Sequence, residues 1–216
     1  MSNALKQTVR GIDLIPVEDT LMEESRIFLV GEINAAASDE LIQKLMYLDM
    51  KDLGEITLYI NSLGGEVMSG LAIYDYIKTM KSPVRTVCMG DAASMGAIIF
   101  LAGNKREMLP HSRILIHDPS YSYLDVSGKK PHEIQRGVDS LNKVRETLAE
   151  IISERTGKSL YEIYEITAED HYFTADEAIK FGLPTAFSRE TQHEKRQDSC
   201  RRYRNFKRYK VYRIQQ

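Results

Sequence analysis

Short apolar runs alternate with amphipathic segments along most of this chain, and that alternation constrains its fold more than any other feature. Three of the runs are typical of buried strands and lie at residues 27–30, 56–60 and 84–89. Each is followed by residues whose apolar side chains recur at helical spacing. Because strands separated by helices need right-handed crossovers and pair mostly in parallel, the sequence predicts an α/β domain.

Local signals predict where four of the helices begin. Ser38, followed by two acidic residues, is typical of an N-cap. Pro131 suits the first turn of a long helix, whose apolar stripe over residues 134–151 indicates a core or subunit contact. Two further helices are preceded by capping-box pairs, Ser159 with Glu162 and Thr174 with Glu177.

The length of 216 residues suits one sizeable α/β domain, and the composition excludes several classes of protein. No apolar stretch approaches the ~20 residues that a membrane span needs. The first thirty residues carry five carboxylates and no apolar leader core. Two cysteines, Cys88 and Cys200, do not make a disulfide framework. We therefore expect a cytoplasmic protein.

A basic tail follows an acidic body, and the change near Ser188 is the clearest boundary in the sequence. Residues 189–216 hold ten Lys or Arg against three Asp or Glu, although the whole chain has a net charge of −2. Aromatic residues are interleaved with these basic ones, a pattern that can bind nucleic acid through phosphate charge and base stacking. We favour a flexible, solvated extension, or one that contacts the acidic surface of a neighbouring subunit, over a nucleic-acid partner.

A serine among small residues is the first candidate for chemistry. Ser94 lies in the run Gly90-Asp91-Ala92-Ala93-Ser94-Met95-Gly96, after a predicted strand and before an apolar run. This places its hydroxyl on a tight strand-to-helix turn, where small neighbours admit a peptide carbonyl and the amides of the helix start can stabilise an oxyanion. Serine beside glycine is also ordinary turn chemistry, so a nucleophile needs a base and an acid elsewhere in the chain.

A histidine and a carboxylate downstream could complete that set. His117 ends a predicted strand and can exchange a proton near neutral pH, although a structural histidine is an equal interpretation, and His171 is its rival. Asp170, in a predicted loop, could hold the imidazole in its working tautomer. Asp118 and Glu169 compete for that role, but successive strand side chains point to opposite faces, which makes Asp118 a poor partner.

Paired glycines after the second predicted strand indicate where an oxyanion could bind. Gly64 and Gly65 let backbone amides approach a substrate closely. The Gly65 and Met95 amides could together form an oxyanion hole, in which one donor is worth about 3–4 kcal/mol of transition-state stabilisation. The alternative is an ordinary turn with no role in chemistry.

Eight ordered sequence blocks, between about residues 26 and 187, carry a family resemblance. Four of them surround the candidate residues: Ile60-Asn61-Ser62-x-Gly64-Gly65, Ala92-Ala93-Ser94-Met95-Gly96-Ala97, Ile116-His117-x-Pro119 and Asp170-x-x-Phe173. On these blocks the chain resembles the proteolytic subunits of the Clp protease family, which are caseinolytic serine peptidases. The resemblance implies that Ser94 is the nucleophile, His117 the general base and Asp170 its orienter. It also implies that Gly65 and Met95 supply the oxyanion-hole amides.

The same resemblance implies an architecture and partners. The fold would be a crotonase-like spiral of ββα units with a protruding handle helix. Residues 1–25 would form an N-terminal axial or docking segment, residues 26–188 the serine peptidase domain and residues 189–216 the tail. A homo-oligomer of two stacked heptameric rings would enclose a chamber, fed with unfolded protein by a hexameric AAA+ unfoldase. Gly157-Lys158-Ser159 lacks the first glycine and the preceding strand of a P-loop, so ATP would be used by the partner and the chain would need no cofactor.

Four departures from the family pattern limit these implications. Leu63 replaces the proline that usually precedes the paired glycines. Residues 120–125 stand where the family has a glycine-rich strand, and the stretch from His117 to Asp170 is somewhat longer than usual. Residues 12–24 keep little of the usual N-terminal sequence, and the basic tail is the fourth difference.

Two other functions stay open at this point. The altered strand after Pro119 fits a catalytically silent or weakly active ring paralogue that contributes its surface to a mixed Clp complex. An acyl-CoA enzyme of the wider crotonase superfold would share the oxyanion-hole geometry without needing a Ser-His-Asp set. We favour an ATP-dependent serine endopeptidase that degrades unfolded proteins to short peptides.

Overall fold

The computed structural model describes residues 2–8, 11–51, 54–121 and 126–187. Within these ranges the strands are β1 Asn3–Thr8, β2 Gly11–Pro16, β3 Arg26–Ile33, β4 Ile56–Gly65, β5 Val84–Ala93, β6 Lys105–Met108, β7 Arg113–Ile116, β8 His171–Thr174 and β9 Ala186–Phe187. The helices are α1 Val17–Glu23, α2 Ala35–Lys51, α3 Val67–Thr79, α4 Met95–Ala102, α5 Pro131–Thr156, α6 Leu160–Thr167 and α7 Ala175–Phe181. Residues 122–125 of the altered strand and the predicted tail at 189–216 lie outside the described ranges.

Seven of these strands form one sheet, and its pairing is largely parallel, as the alternation predicts. The order β3-β4-β5-β6-β9 is parallel throughout. β5 is ten residues long and pairs with β6 through its first half and with β7 through its second half. β8 then adds to β7 in antiparallel orientation. The α/β class is therefore confirmed. β5 pairs with three other strands, β4, β6 and β7.

The helix that follows β5 is buried on every side. All eight residues of α4 are buried, and Ile99 and Phe100 have no exposed surface. Its sequence contains no polar side chain, and a helix that is apolar all round has to be covered all round. α4 accordingly packs against α3, α5 and the strands β4 and β5. This packing fixes the helix directly behind the end of β5, where Ser94 lies.

Three of the predicted helix starts are confirmed and one is wrong. α5 begins at the predicted proline, and both predicted capping boxes form at the starts of α6 and α7. α2, however, begins at Ala35, so Ser38 lies inside the helix and is not its N-cap. The side-chain oxygen of Asn34 accepts a hydrogen bond from the Ala37 amide at 3.0 Å, in the manner of an N-cap. Ser38 is buried and donates to the Ser69 carbonyl at 2.9 Å, which joins α2 to α3.

Two segments extend away from the core. β1 and β2 pair as an antiparallel hairpin, on which Ile12 and Leu14 are largely exposed. α5 is 26 residues long, yet its buried residues, Leu148, Ala149 and Ile152, all lie in its second half. The predicted apolar stripe of α5 is therefore covered only toward its end. Neither α5 nor any other helix in the described ranges combines the length and the apolar character needed to cross a membrane.

Candidate functional site

The register of three neighbouring strands brings the candidate residues to one edge of the sheet. β7 pairs in parallel with the end of β5, so Ser94 and His117 leave the sheet at the same edge. β8 pairs with β7 in antiparallel orientation, and that ladder ends at Ile116 opposite His171. The next pair beyond the ladder is His117 and Asp170. Residues far apart in the sequence therefore meet because of strand pairing.

The backbone at Ser94 makes a sharp strand-to-helix turn. Its φ of 53° and ψ of −122° form a conformation that residues other than glycine rarely adopt. Its amide donates to the Leu115 carbonyl at 2.9 Å, and α4 begins at the next residue, Met95. A strained turn of this kind presents the serine hydroxyl at the top of the sheet, clear of both the strand and the helix.

Two glycines of β4 lie where a side chain would clash with the backbone next to it, Gly64 at this turn and Gly65 at β3. A side chain on Gly64 would place its Cβ 2.7 Å from the Ser94 Cβ and 2.8 Å from the Ala93 carbonyl oxygen. A side chain on Gly65 would place its Cβ 2.1 Å from the Ile33 carbonyl oxygen. Both glycines also have a positive φ, 99° and 150°, at which L side chains are strained. Gly64 is thus a steric requirement of the turn that carries the serine, and Gly65 is required by the close approach of β3.

Three side chains at this edge form a continuous line of polar contacts. Ser94 Oγ lies 2.9 Å from His117 Nε2, and His117 Nδ1 lies 3.2 Å from Asp170 Oδ1. The side chain of His117 is 27% exposed and that of Asp170 is 67% exposed. In this order the imidazole can accept the hydroxyl proton while the carboxylate holds the tautomer that carries its proton on Nδ1. The arrangement can therefore activate a serine as a nucleophile.

The residues that compete with this set in the sequence have other surroundings. The ring of His171 packs against that of Phe173, with their centres 4.4 Å apart. Glu169 is exposed, whereas Asp170 contacts the imidazole. The carboxylate of Asp118 is bound by a hydroxyl of α6 and a guanidinium of α5. Across the described ranges, no group of three or more His, Cys, Asp or Glu is arranged to hold a metal ion.

The two residues predicted to supply oxyanion-hole amides, Gly65 and Met95, lie at the same cavity as Ser94. The amides next to Gly65 are engaged within the protein, because Gly64 N donates to the Ser62 Oγ at 3.1 Å and Glu66 N donates to a carbonyl of β3 at 2.7 Å. Met95 is the first residue of α4, where N–H groups lack acceptors within the helix and carry the positive end of its dipole. This position suits a developing negative charge.

A cavity of about 140 Å³ opens beside Ser94, with polar groups on the side of Ser94, His117 and Ser120 and apolar side chains elsewhere. The apolar side chains include Val67, Ile98, Leu148 and Ile152, from α3, α4 and α5. A space of this size and character can accommodate one apolar side chain of a bound peptide. The buried second half of α5 therefore forms part of the candidate site as well as part of the core.

Sequence reasoning missed the residues that fix the register of this edge. Leu115 holds the amide of Ser94. Arg113 forms an ion pair with Asp91 at 2.9 Å and so bridges β7 and β5. A signal was present, since opposite charges stand near the serine and near the histidine in the two predicted strands. It becomes informative only once the strands are known to be neighbours.

Comparison with known proteins is consistent with this geometry. A sequence profile described as Clp protease matches residues 10–186, a range that contains the whole candidate site. The chain is also similar to the ATP-dependent Clp protease proteolytic subunit of Carsonella ruddii (strain PV), with 32% identity over 185 residues. That alignment covers 85% of this chain and 93% of the relative.

Proposed function

This chain belongs to the Clp protease family and is a peptidase, and from that premise we propose that it is a serine endopeptidase acting through Ser94, His117 and Asp170. The observation that carries the proposal is the unbroken line of contacts from hydroxyl to imidazole to carboxylate, at 2.9 and 3.2 Å. Its substrates are unfolded polypeptides, which it cuts to short peptides.

Acylation begins at the Ser94 hydroxyl. Its Oγ attacks the carbonyl carbon of the scissile peptide while the hydroxyl proton moves to His117 Nε2. Asp170 keeps Nδ1 protonated and stabilises the imidazolium that forms. The imidazolium gives its proton to the leaving amine, the C–N bond breaks and an acyl-enzyme remains. Water then attacks the acyl carbon with the same imidazole as base, which releases the second product and restores the serine.

The negative charge that develops on the attacked oxygen is received by the Gly65 and Met95 amides. α4 is buried on all sides, so the partial positive charge at its N-terminus acts in surroundings that screen it weakly. Loss of one such donor costs about 3–4 kcal/mol of transition-state stabilisation. The apolar side chains of the cavity beside the serine hold a neighbouring side chain of the substrate, which places the peptide bond over the hydroxyl.

The geometry supports this function better than the two alternatives. A catalytically silent ring subunit has no need of a strained serine turn beside a glycine, Gly64, at which any side chain would clash with that turn. An acyl-CoA enzyme needs oxyanion-hole amides but no carboxylate against the imidazole, and Asp170 occupies that place here.

We also propose the assembly that the family resemblance implies. The subunit is a crotonase-like spiral with α5 as its handle, and two stacked heptameric rings work in the cytoplasm with a hexameric AAA+ unfoldase that uses ATP. Support comes from the exposed first half of α5 and from the exposed apolar residues of the hairpin, which a lone subunit would leave in water. The name of the Carsonella ruddii relative contains both "ATP-dependent" and "subunit".

Substitution of the nucleophile tests the proposed function most directly. We expect Ser94→Ala to lower kcat for a small fluorogenic peptide by at least about 10⁴-fold, because no other group replaces the attacking oxygen. Size-exclusion chromatography is expected to show unchanged assembly. His117→Ala is expected to be comparably inactive, and His111→Ala, at an exposed histidine outside the site, is the matched control.

A fluorophosphonate probe separates the proposal from its main alternative. We expect it to label wild-type protein at Ser94 and to leave Ser94→Ala unmodified. Unchanged turnover in Ser94→Ala would reject the mechanism. Assembled wild-type protein that neither cleaves the peptide nor reacts with the probe would favour the silent ring subunit.

A further inference from the structure

Asp118 follows the proposed general base, and its contacts reach beyond the site described so far. Its amide donates to the Thr167 carbonyl at 2.7 Å, and its Oδ1 accepts from the Thr167 Oγ1 at 2.7 Å. Two hydrogen bonds between the same two residues fix both their distance and their orientation. Thr167 is buried and stands three residues before Asp170. These bonds therefore tie the segment of His117 to the segment of Asp170.

The other carboxylate oxygen of Asp118 is held from α5. Arg145 Nε lies 2.6 Å from Asp118 Oδ2 in an ion pair, although its N–H lacks the alignment of a hydrogen bond. The guanidinium carbon of Arg145 lies 4.4 Å from the centre of the Tyr164 ring, on α6. The two charged side chains are only 35% and 29% exposed, so water screens the pair less than it screens an ion pair on an open surface. Arg145 thus joins α5, α6 and the segment that follows β7.

These contacts begin where the sheet stops. The β7–β8 ladder ends at Ile116 opposite His171, one residue short of the pair that would do the chemistry. Beyond that point the Asp170 side chain is mostly exposed, and its contact with the imidazole spans 3.2 Å. The bonds of Asp118 continue the tie between the two segments past the end of the ladder.

We propose that Asp118, Thr167 and Arg145 form a clamp that positions His117 against Asp170 in the peptidase reaction. The inference rests on the proposed function and adds positioning residues to it, since the clamp acts through the histidine and the aspartate. Because α5 supplies the arginine, the clamp also makes the alignment of the site depend on the placement of that helix. A displacement of about 1 Å at a reacting group costs on the order of 10²-fold in rate, so loss of the clamp lowers kcat.

Matched variants of the assembled enzyme test the clamp with the fluorogenic peptide. Asp118→Asn and Thr167→Val each remove one contact with little change of shape, and Arg145→Gln removes the guanidinium together with its contacts to Asp118 and Tyr164. We expect each to lower kcat by about 10- to 100-fold, with KM within about twofold of wild type. Thr167→Ser keeps the hydroxyl and Arg145→Lys keeps the charge, and we expect both to retain most of kcat. The double variant Asp118→Asn/Arg145→Gln is expected to have a kcat no lower than that of the slower single variant, because both substitutions break the same ion pair.

Two controls separate positioning from a general loss of structure. Glu55→Gln breaks an ion pair of the same length, 2.6 Å to Lys105, away from the site, and we expect unchanged kcat. Labelling by the fluorophosphonate gives a second readout, because its final extent counts folded sites and its rate reports the activation of Ser94. In the clamp variants we expect the rate to fall together with kcat while the extent stays at the wild-type value.

Three results would overturn the clamp. The first is kcat within about twofold of wild type in Asp118→Asn and Thr167→Val. The second is a loss of kcat that follows the extent of labelling, since that is a loss of folded sites. The third is a crystal structure of Asp118→Asn in which His117 Nδ1 and Asp170 Oδ1 are still 3.2 Å apart. Failure of the proposed function is a distinct outcome, namely wild-type protein that is inactive toward both peptide and probe.

Discussion

The two halves of the candidate site are held in place by different forces. On the β5 side, Ala92, Ala93 and Met95 are at most 2% exposed, and packed atoms surround the turn of Ser94. On the β7–β8 side, the Asp170 side chain is 67% exposed and reaches the imidazole through a polar contact. Steric packing does not depend on the salt concentration, whereas polar contacts near a surface are weakened by salt. We infer that the nucleophile is the constant part of the site and that the base and acid are the variable part.

The largest loss of kcat is expected from Asp170→Asn, which replaces the carboxylate that contacts His117 and changes almost no side-chain volume. An amide stabilises the wrong tautomer of the imidazole, and in a triad with a buried acid this costs about 10⁴-fold in kcat. Because Asp170 is mostly exposed, we expect a loss nearer about 10³-fold, measured with the fluorogenic peptide. Glu169→Gln, which changes the neighbouring exposed carboxylate, is the matched control and is expected to keep wild-type kcat. A loss below about threefold in Asp170→Asn would show that this carboxylate does not orient the base.

Gly64→Ala disturbs the packing around the Ser94 turn in the buried half of the site, and Gly31→Ala is its matched control. The two glycines have a similar positive φ, 99° and 88°, but a Cβ on Gly31 meets nothing within 4 Å, whereas one on Gly64 meets Ser94 at 2.7 Å. We expect Gly64→Ala to lower kcat/KM by about 10²-fold, because the serine is displaced. Gly31→Ala is expected to lose about 1–2 kcal/mol of stability through backbone strain and to stay active. Similar activity in the two variants would contradict the steric explanation of the turn.

The last prediction leaves catalysis unchanged and concerns the exclusion of water from the buried half of the site, which Cys88 on β5 reports. Burial raises the pKa of its thiol from about 9 to about 11. At about pH 8 the native protein therefore holds roughly 100-fold less thiolate at this position than the unfolded chain, and we expect alkylation by iodoacetamide to be slower by at least that factor. Peptide mass spectrometry distinguishes Cys88 from Cys200.

The same pKa shift has a defined sign for stability. Between about pH 9 and 11 the unfolded chain releases the Cys88 proton while the folded protein retains it, so stability falls as the pH rises through this window. Below about pH 9 both states are protonated and this contribution to stability is fully present. Cys88→Ala is expected to lose this part of the pH dependence in urea titrations. Fast alkylation in native protein at about pH 8 would instead show that β5 opens to solvent.

The buried half was predictable from sequence because its determinants are local. Ser94 among small residues, between a strand-like run and an apolar run, already predicts a tight turn. The exposed half was not predictable in the same way. Pairing of His117 with Asp170 depends on the antiparallel register of β7 and β8, which no short pattern specifies, so Glu169 stayed open as a partner and Asp118 was disfavoured only by the alternation of strand side chains. Only the family resemblance selected Asp170.

The start of α2 was predicted wrongly for a related reason. Ser38 with its two acidic neighbours is a good cap by local rules, and so is Asn34 four residues earlier. The choice between them depends on α3, whose Ser69 carbonyl accepts the Ser38 hydroxyl and draws that residue into the interior. Tertiary contacts therefore decided between two local signals of similar strength.

β8 is only four residues long, and among the described strands it pairs with β7 alone. A short rim strand detaches at a lower free-energy cost than unfolding of the whole domain. Detachment of β8 would move Asp170 away from His117 and leave Ser94 in place. The protein would then be folded but inactive. If the proposed mechanism holds, this topology makes peptidase activity more sensitive to heating than the fold itself, and we expect activity to be lost at a lower temperature than the sheet.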